Sequence, residues 1–226
     1  PEHQATLAQS KDIDMLRNLA QNPNLAPEAQ VTLMDSDRPS VRRYLAKNPN
    51  LAPEHQATLM QSKDIEVLWN LARNPNLAPK HQVTLMDSRD IQVLRSLASN
   101  PNLALEHQDT LMESDDNYIR STLASNPNLA PEHQATLATS KNSYVLYNLS
   151  QNPNLAPEHQ ATIMEKYKNN PDTLRSLAYN LALNPNLAPA HQATLAQSSD
   201  REMLRELAKN PNLDTNVWKK MYSDTK

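Results

Sequence analysis

The chain has 226 residues, a formal net charge of −3, and no Cys, Gly or Phe. That charge argues mildly against a dedicated nucleic-acid binder, and the lack of Cys excludes disulfides and thiolate metal sites. No apolar run approaches the ~18 residues of a membrane-spanning helix, and without Phe the core has to be aliphatic. Nothing at the start resembles a signal peptide, which favours a cytoplasmic protein. The chain opens on Pro1 within a repeat and without Met, so a fragment of a longer, monomeric protein is expected.

One string organises the sequence, N-P-N-L-A-P-E-H-Q-A-T-L-M-Q-S-K-D-I-E-V-L-W-N-L-A-R from Asn48 to Arg73, and it recurs from end to end. Counted from the first Asn, full repeats begin at Asn22, Asn48, Asn74, Asn100, Asn126, Asn152 and Asn184, with a partial unit over 1–21 and a closing one over 210–226. The spacing is 26 residues except for 32 between Asn152 and Asn184. Repetition at this period predicts a solenoid that grows by addition, one domain over 1–226.

Each unit reads as two short helices. Pro at position 6 (Pro27, Pro53, Pro79, Pro131, Pro157 and Pro189) suits the first turn of helix A, where its missing N–H is no loss. Position 17 carries Asp12, Asp64, Asp90, Asp116, Asn142 and Asp200, which are N-caps for helix B; in one repeat Pro39 follows as its first residue. Helix B runs to position 26. Asn at position 1 is then expected in the left-handed conformation that Gly usually supplies, with Pro at position 2 preventing continuation.

Apolar residues recur at positions 4, 12, 13, 20, 21, 24 and 25, which gives helix B one apolar face. A single unit cannot bury enough surface to fold alone, so neighbours have to stack. In the long unit the six extra residues fall around Lys166 to Asn170. A bulge between the helices is expected there, with Asn170 and Pro171 capping and starting a longer helix B. In the last unit Val217 and Trp218 replace His-Gln at positions 8 and 9, with Lys219 and Lys220 facing away, which reads as a C-terminal cap.

N-P-N-L-A-P-E, a Leu-ended helix, and then D-S-D-R-P-S-V-R-R-Y-L-A-K-N-P-N resemble the bacterial leucine-rich repeat variant family. The resemblance covers the whole chain. It implies an all-α, right-handed α-solenoid of two-helix repeats, α/α or α/3₁₀, with a binding role and no activity. Two departures stand out: this chain has His-Gln where the family is usually apolar, and it lacks the cysteines that hold an iron–sulfur cluster in one member. Longer α-solenoid repeats of the HEAT or armadillo type are the alternative architecture.

All seven His (His3, His55, His81, His107, His133, His159 and His191) occupy position 8. Stacked helices lie about 8–10 Å apart, too far for imidazoles to share one zinc with bonds of about 2.0–2.1 Å. The expectation is a His-Gln pair hydrogen-bonding across repeats, with no metal and no cofactor. The Asn columns at positions 1 and 3 are expected to form ladders between repeats. Acidic residues at positions 7 and 14 read as a solvated face of helix A.

The functional signal lies where the repeat varies. Position 22 carries Arg17, Arg43, Trp69, Arg95, Tyr147, Tyr179 and Arg205, and position 26 includes Lys47 and Arg73. The two positions are i and i+4 on helix B and share a face. Tyr118 and Tyr144 lie one turn back at position 19. Arg, Trp and Tyr dominate binding hot spots. Basic residues in a last helical turn also oppose the helix dipole, which accounts for position 26 better than for position 22. These residues point to a non-catalytic scaffold that binds a protein or peptide. The alternative is single-stranded nucleic acid, with bases stacked on the aromatics. No catalytic constellation is present, since identical groups in every unit are the reverse of groups converging once.

Overall fold

The computed structural model describes residues 2–169 and 171–223, with the side chains of 167–169, 171–174 and 222–223 outside that description. It is all-α, with seventeen helices and no strand among the described residues. In chain order these are α1 (Glu2–Leu7), α2 (Ile13–Ala20), α3 (Pro27–Met34), α4 (Pro39–Ala46), α5 (Pro53–Leu59), α6 (Ile65–Ala72), α7 (Pro79–Met86), α8 (Ile91–Ala98) and α9 (Leu105–Met112). There follow α10 (Asn117–Ala124), α11 (Pro131–Ala138), α12 (Ser143–Ser150), α13 (Pro157–Asn169), α14 (Pro171–Leu183), α15 (Pro189–Leu195), α16 (Arg201–Ala208) and α17 (Thr215–Ser223). Odd numbers are A helices and even numbers B helices; both kinds are α-helical. None of the described helices is long and apolar enough to cross a membrane.

The chain divides into two compact units, Pro1–Leu111 and Met112–Lys226. In unit 1 the B helices α2, α4, α6 and α8 pack one on the next, as do the A helices α1, α3 and α5. In unit 2 the B row is α10, α12, α14 and α16, and the A row is α11, α13, α15 and α17. Each unit is thus a piece of solenoid with its core between two rows. Leu33, Leu45, Leu71, Leu85 and Leu97 are fully buried in unit 1, and Leu123, Leu149, Ile163 and Leu181 in unit 2. Met34 and Met60, at position 13, are only partly covered and form a rim.

The expected starts of both helices are present. Pro27, Pro53, Pro79, Pro131 and Pro189 open A helices. Asp12, Asp64, Asp90, Asp116, Asn142 and Asp200 accept backbone N–H bonds in the first turn of B helices. Such a cap stabilises by about 1 kcal/mol relative to Ala.

The helix ends differ from expectation. No described residue has positive φ, so the Asn at position 1 is not left-handed. Helix B instead tightens at its end and leaves through successive i→i+3 bonds: Asn48 N–H to Leu45 C=O at 2.9 Å, then Leu51 N–H to Asn48 C=O at 3.1 Å. The residue ending α4, Lys47, keeps φ −79 and ψ −14. A chain that turns without positive φ has no need of Gly.

Position 1 joins repeats instead. Asn74 Nδ2 donates to the carbonyls of Ala46 at 3.0 Å and Asn48 at 2.7 Å, while its Oδ1 accepts the N–H of Asn76 at 2.9 Å. Asn48 and Asn100 repeat this in unit 1, as do Asn152, Asn184 and Asn210 in unit 2. Position 3 adds a bond to the preceding Pro carbonyl, such as Asn76 Nδ2 to Pro49 at 2.7 Å.

The long unit also departs from expectation. Residues 166–169 continue α13, and α13 and α14 each have 13 residues, against 8 in α11 and α12. Pro171 opens the longer helix B that was expected; the departure is that the extra residues extend helix A as well and do not form a bulge, because Glu165 to Asn169 contains no helix breaker before Pro171. Lys166 Nζ reaches back to the carbonyls of Thr139 at 3.3 Å and Ser140 at 3.0 Å. The capping role expected of Asn170 lies outside the described residues. In the last unit Val217 is buried, but Trp218 stands exposed.

Candidate functional site

The position-8 and position-9 pair lies inside the stack. Gln56 Nε2 donates to the carbonyls of Leu51 at 3.0 Å and Asn76 at 2.9 Å, and its Oε1 accepts Ala78 N–H at 2.9 Å. The A helices α3, α5 and α7 have Ala at the N-cap and no side-chain cap of their own. The Gln of the preceding repeat therefore satisfies the entry to each of them. His55 Nδ1 lies 2.8 Å from Gln30 Oε1, which also accepts Ala52 N–H, so the imidazole nitrogen is the donor. The expected His-Gln bonding across repeats is thus present at His55; His81, His107 and His133 are buried at the same position of their repeats, while His191 Nε2 lies 3.0 Å from the carbonyl of Pro157 instead. Among the described residues no group of three or more His, Cys, Asp or Glu could hold a metal ion.

The helix-B stripe separates into two kinds of residue. At position 22, Arg43, Trp69 and Tyr179 reach forward to the next B helix. Arg43 Nε bonds Asp64 Oδ2 at 2.8 Å and its Nη1 pairs with Glu66 Oε2 at 2.8 Å. Trp69 Nε1 donates to Asp90 Oδ1 at 3.1 Å. Tyr179 Oη donates to Asp200 Oδ2 at 3.0 Å and itself accepts from Arg175 Nε at 2.8 Å. In all three cases the acceptor is the position-17 Asp that caps the next B helix. Arg17 shows the exception that supports the rule: its position-17 neighbour is Arg38, and it bonds Ser40 Oγ at 3.2 Å and its own Asp14 at 3.1 Å instead.

These contacts set the electrostatics. The hydrogen bond that Arg43 donates to Asp64, aided by the charges of Asp64 and Glu66, raises the Arg43 pKa against its partial burial. Burial pushes the Asp200 carboxyl up, but the Met203 N–H, Arg175, Tyr179 and the Glu202 N–H outweigh it and hold it below the usual carboxylate value.

The second kind of residue faces solvent. Tyr118 is 66% exposed, Tyr144 71% and Tyr147 39%. Lys47, Arg73 and Arg205 are exposed, and Arg95 is half-buried on α8. Lys47 Nζ lies 5.6 Å over the Tyr44 ring. A scan against protein-family models finds no match, and neither does a search of curated proteins. In unit 1 the structure brings several of the sequence-derived residues together in a groove of about 250 Å³, where Arg17, Arg43, Lys47 and Trp69 line the walls with Tyr44 and Glu66. Tyr118, Tyr144, Tyr147, Tyr179 and Arg205 belong to unit 2.

The sequence reading missed the double duty of the position-17 Asp, as cap and as acceptor for the repeat before. The signal was available. Arg43, Trp69 and Tyr179 share no shape, but each offers a hydrogen-bond donor on a long side chain.

Proposed function

We propose that the chain is a non-catalytic scaffold that binds a protein or peptide along its helix-B face. What supports this reading most directly is the exposure of Tyr118 and Tyr144, large amphipathic side chains that make no contribution to the core and suit a partner contact. The residues at position 22 contribute less than their chemistry suggests, because the stack itself uses Arg43, Trp69 and Tyr179. Repetition of the same groups in every unit favours binding over catalysis. A kinship with the bacterial leucine-rich repeat variant family, and a monomeric state, belong to the same proposal.

The test is a pull-down from the source cell with Tyr118, Tyr144 and Tyr147 changed to Ala. These positions avoid the inter-repeat bonds of Trp69 and Tyr179, so the far-UV circular dichroism should not change. Loss of the partner is the expected result; a folded variant that retains every partner overturns the assignment.

A further inference from the structure

The helix-B face does not carry one kind of charge throughout. At positions 22, 23 and 26, unit 1 has Arg17, Arg43, Lys47, Arg73 and Arg95 and no carboxylate, in a chain whose net charge is −3. The same positions of unit 2 have Arg205 and Lys209 with Glu206 between them.

Most of these cations are occupied. Arg17 pairs with Asp14, and Arg43 with Asp64 and Glu66. Lys209 is tied to Glu206 at 2.6 Å. Lys47 and Arg73 differ: both are exposed, they are the C-terminal caps of α4 and α6, and neither has a carboxylate partner among the described residues. A helix dipole would favour a cation at every position 26. Yet Ser99, Ser125, Gln151 and Leu183 stand there in other repeats, so the dipole does not account for this pair.

We infer that the unit 1 helix-B face binds an acidic peptide segment, whose carboxylates are held by Lys47, which lines the Tyr44–Trp69 groove, and by Arg73 at the end of the neighbouring helix α6. This rests on the helix-B reading above and names its partner class. The two cations end neighbouring packed helices, whose axes lie about 8–10 Å apart. Acidic residues two apart on an extended chain project to one side about 6.6–6.8 Å apart. Long Lys and Arg side chains close the difference. The groove also holds the Glu66 carboxylate, which Arg43 neutralises at 2.8 Å, and beside that pair the Trp69 and Tyr44 rings offer surface for glutamate stems.

The experiment is calorimetric titration of the full chain, at low ionic strength, with a peptide of alternating Glu and Ser. Parallel titrations use the peptide with Lys in place of Glu, and oligothymidylate. The expected result is binding of the Glu peptide only, weakened tenfold or more by Lys47→Glu with Arg73→Glu, unchanged by Lys209→Glu, and falling as salt rises. No binding of the Glu peptide, or binding indifferent to the double reversal, overturns the inference. So does oligothymidylate binding tighter than the peptide, which assigns the face to nucleic acid. If the pull-down partner is lost with the tyrosine variant but retained by the double reversal, the helix-B reading stands and the acidic inference fails. If both variants retain every partner, both fail.

Discussion

Trp69 Nε1 donates to Asp90 Oδ1 across a repeat boundary, at 3.1 Å, and the same carboxylate oxygen accepts the N–H groups of Gln92 and Val93 at 2.8 and 3.2 Å. One oxygen thus caps α8 and anchors it to α6. Trp69→Phe removes only the anchor and should cost about 0.5–1.5 kcal/mol. Asp90→Ala removes anchor and cap together and should cost about 1–2 kcal/mol more. Urea denaturation of the two single variants and the double variant checks this. A coupling energy within experimental error of zero would show that the bond does not hold the repeats together.

The Asn column is testable by the order of its variants. Asn74 is buried, donates twice and accepts once. Asn74→Ala leaves two carbonyls and one N–H without that partner and should cost about 2–4 kcal/mol. Asn74→Asp should be worse than Ala, because a carboxylate would face the carbonyl oxygens of Ala46 and Asn48. Asn74→Gly should give no rescue, since the backbone there has no positive φ. Thermal melts rank the three; a stabilised Gly variant would restore the left-handed account.

That difference marks what a single chain discloses. Helix starts were legible because their causes are local: Pro27 at a first turn, Asp64 two residues before the helical N–H that its side chain accepts. The turn at Asn48 was not, because Asn substitutes for Gly only when the local backbone demands it. The competing cause, a carbonyl 26 residues earlier, exists only in the stack. For the same reason Arg43 and Trp69 read as surface residues, although each has a partner 21 residues ahead. Tyr118 and Tyr144 were legible as exposed because nothing in the repeat pattern buries position 19. In the long unit the helical extension was locally encoded, but the expectation of a loop at an insertion overrode it.

Acid should loosen unit 2 at the junction of α14 and α16. Asp200 holds Arg175 Nη2 at 2.7 Å and Tyr179 Oη at 3.0 Å. Its folded pKa lies below the ordinary carboxylate value. The stability it contributes is therefore present above that ordinary value and is lost as pH falls through the folded pKa. Asp200→Asn retains a competent cap, as Asn142 shows at the same position, and removes only the charge. Wild type should melt higher than this variant at pH 7, and the gap should close on acidification. A gap that persists at a pH well below the folded pKa would mean that the charge is not what the junction uses.

Gln56 offers the sharpest test of how the A helices are held. Its Nε2 faces two carbonyls, those of Leu51 and Asn76, and its Oε1 faces the N–H of Ala78. The amide is almost fully buried. Gln56→Glu keeps the acceptor and the shape but turns a donor into a second oxygen aimed at carbonyls. To relieve this the carboxyl must be protonated, so the variant should be strongly destabilised at pH 7 and recover partly towards pH 4. Gln56→Leu leaves those same backbone groups unbonded by the side chain and should cost about 1–3 kcal/mol at any pH. Hydrogen exchange at Ala78 separates the two accounts. The Ala78 amide is protected by a side-chain oxygen of the previous repeat, so Gln56→Leu, which removes it, should raise exchange there more than at Leu85 in the helix that follows, and more than Gln56→Glu does. Equal exchange at the two sites would place the origin of A-helix stability in packing alone.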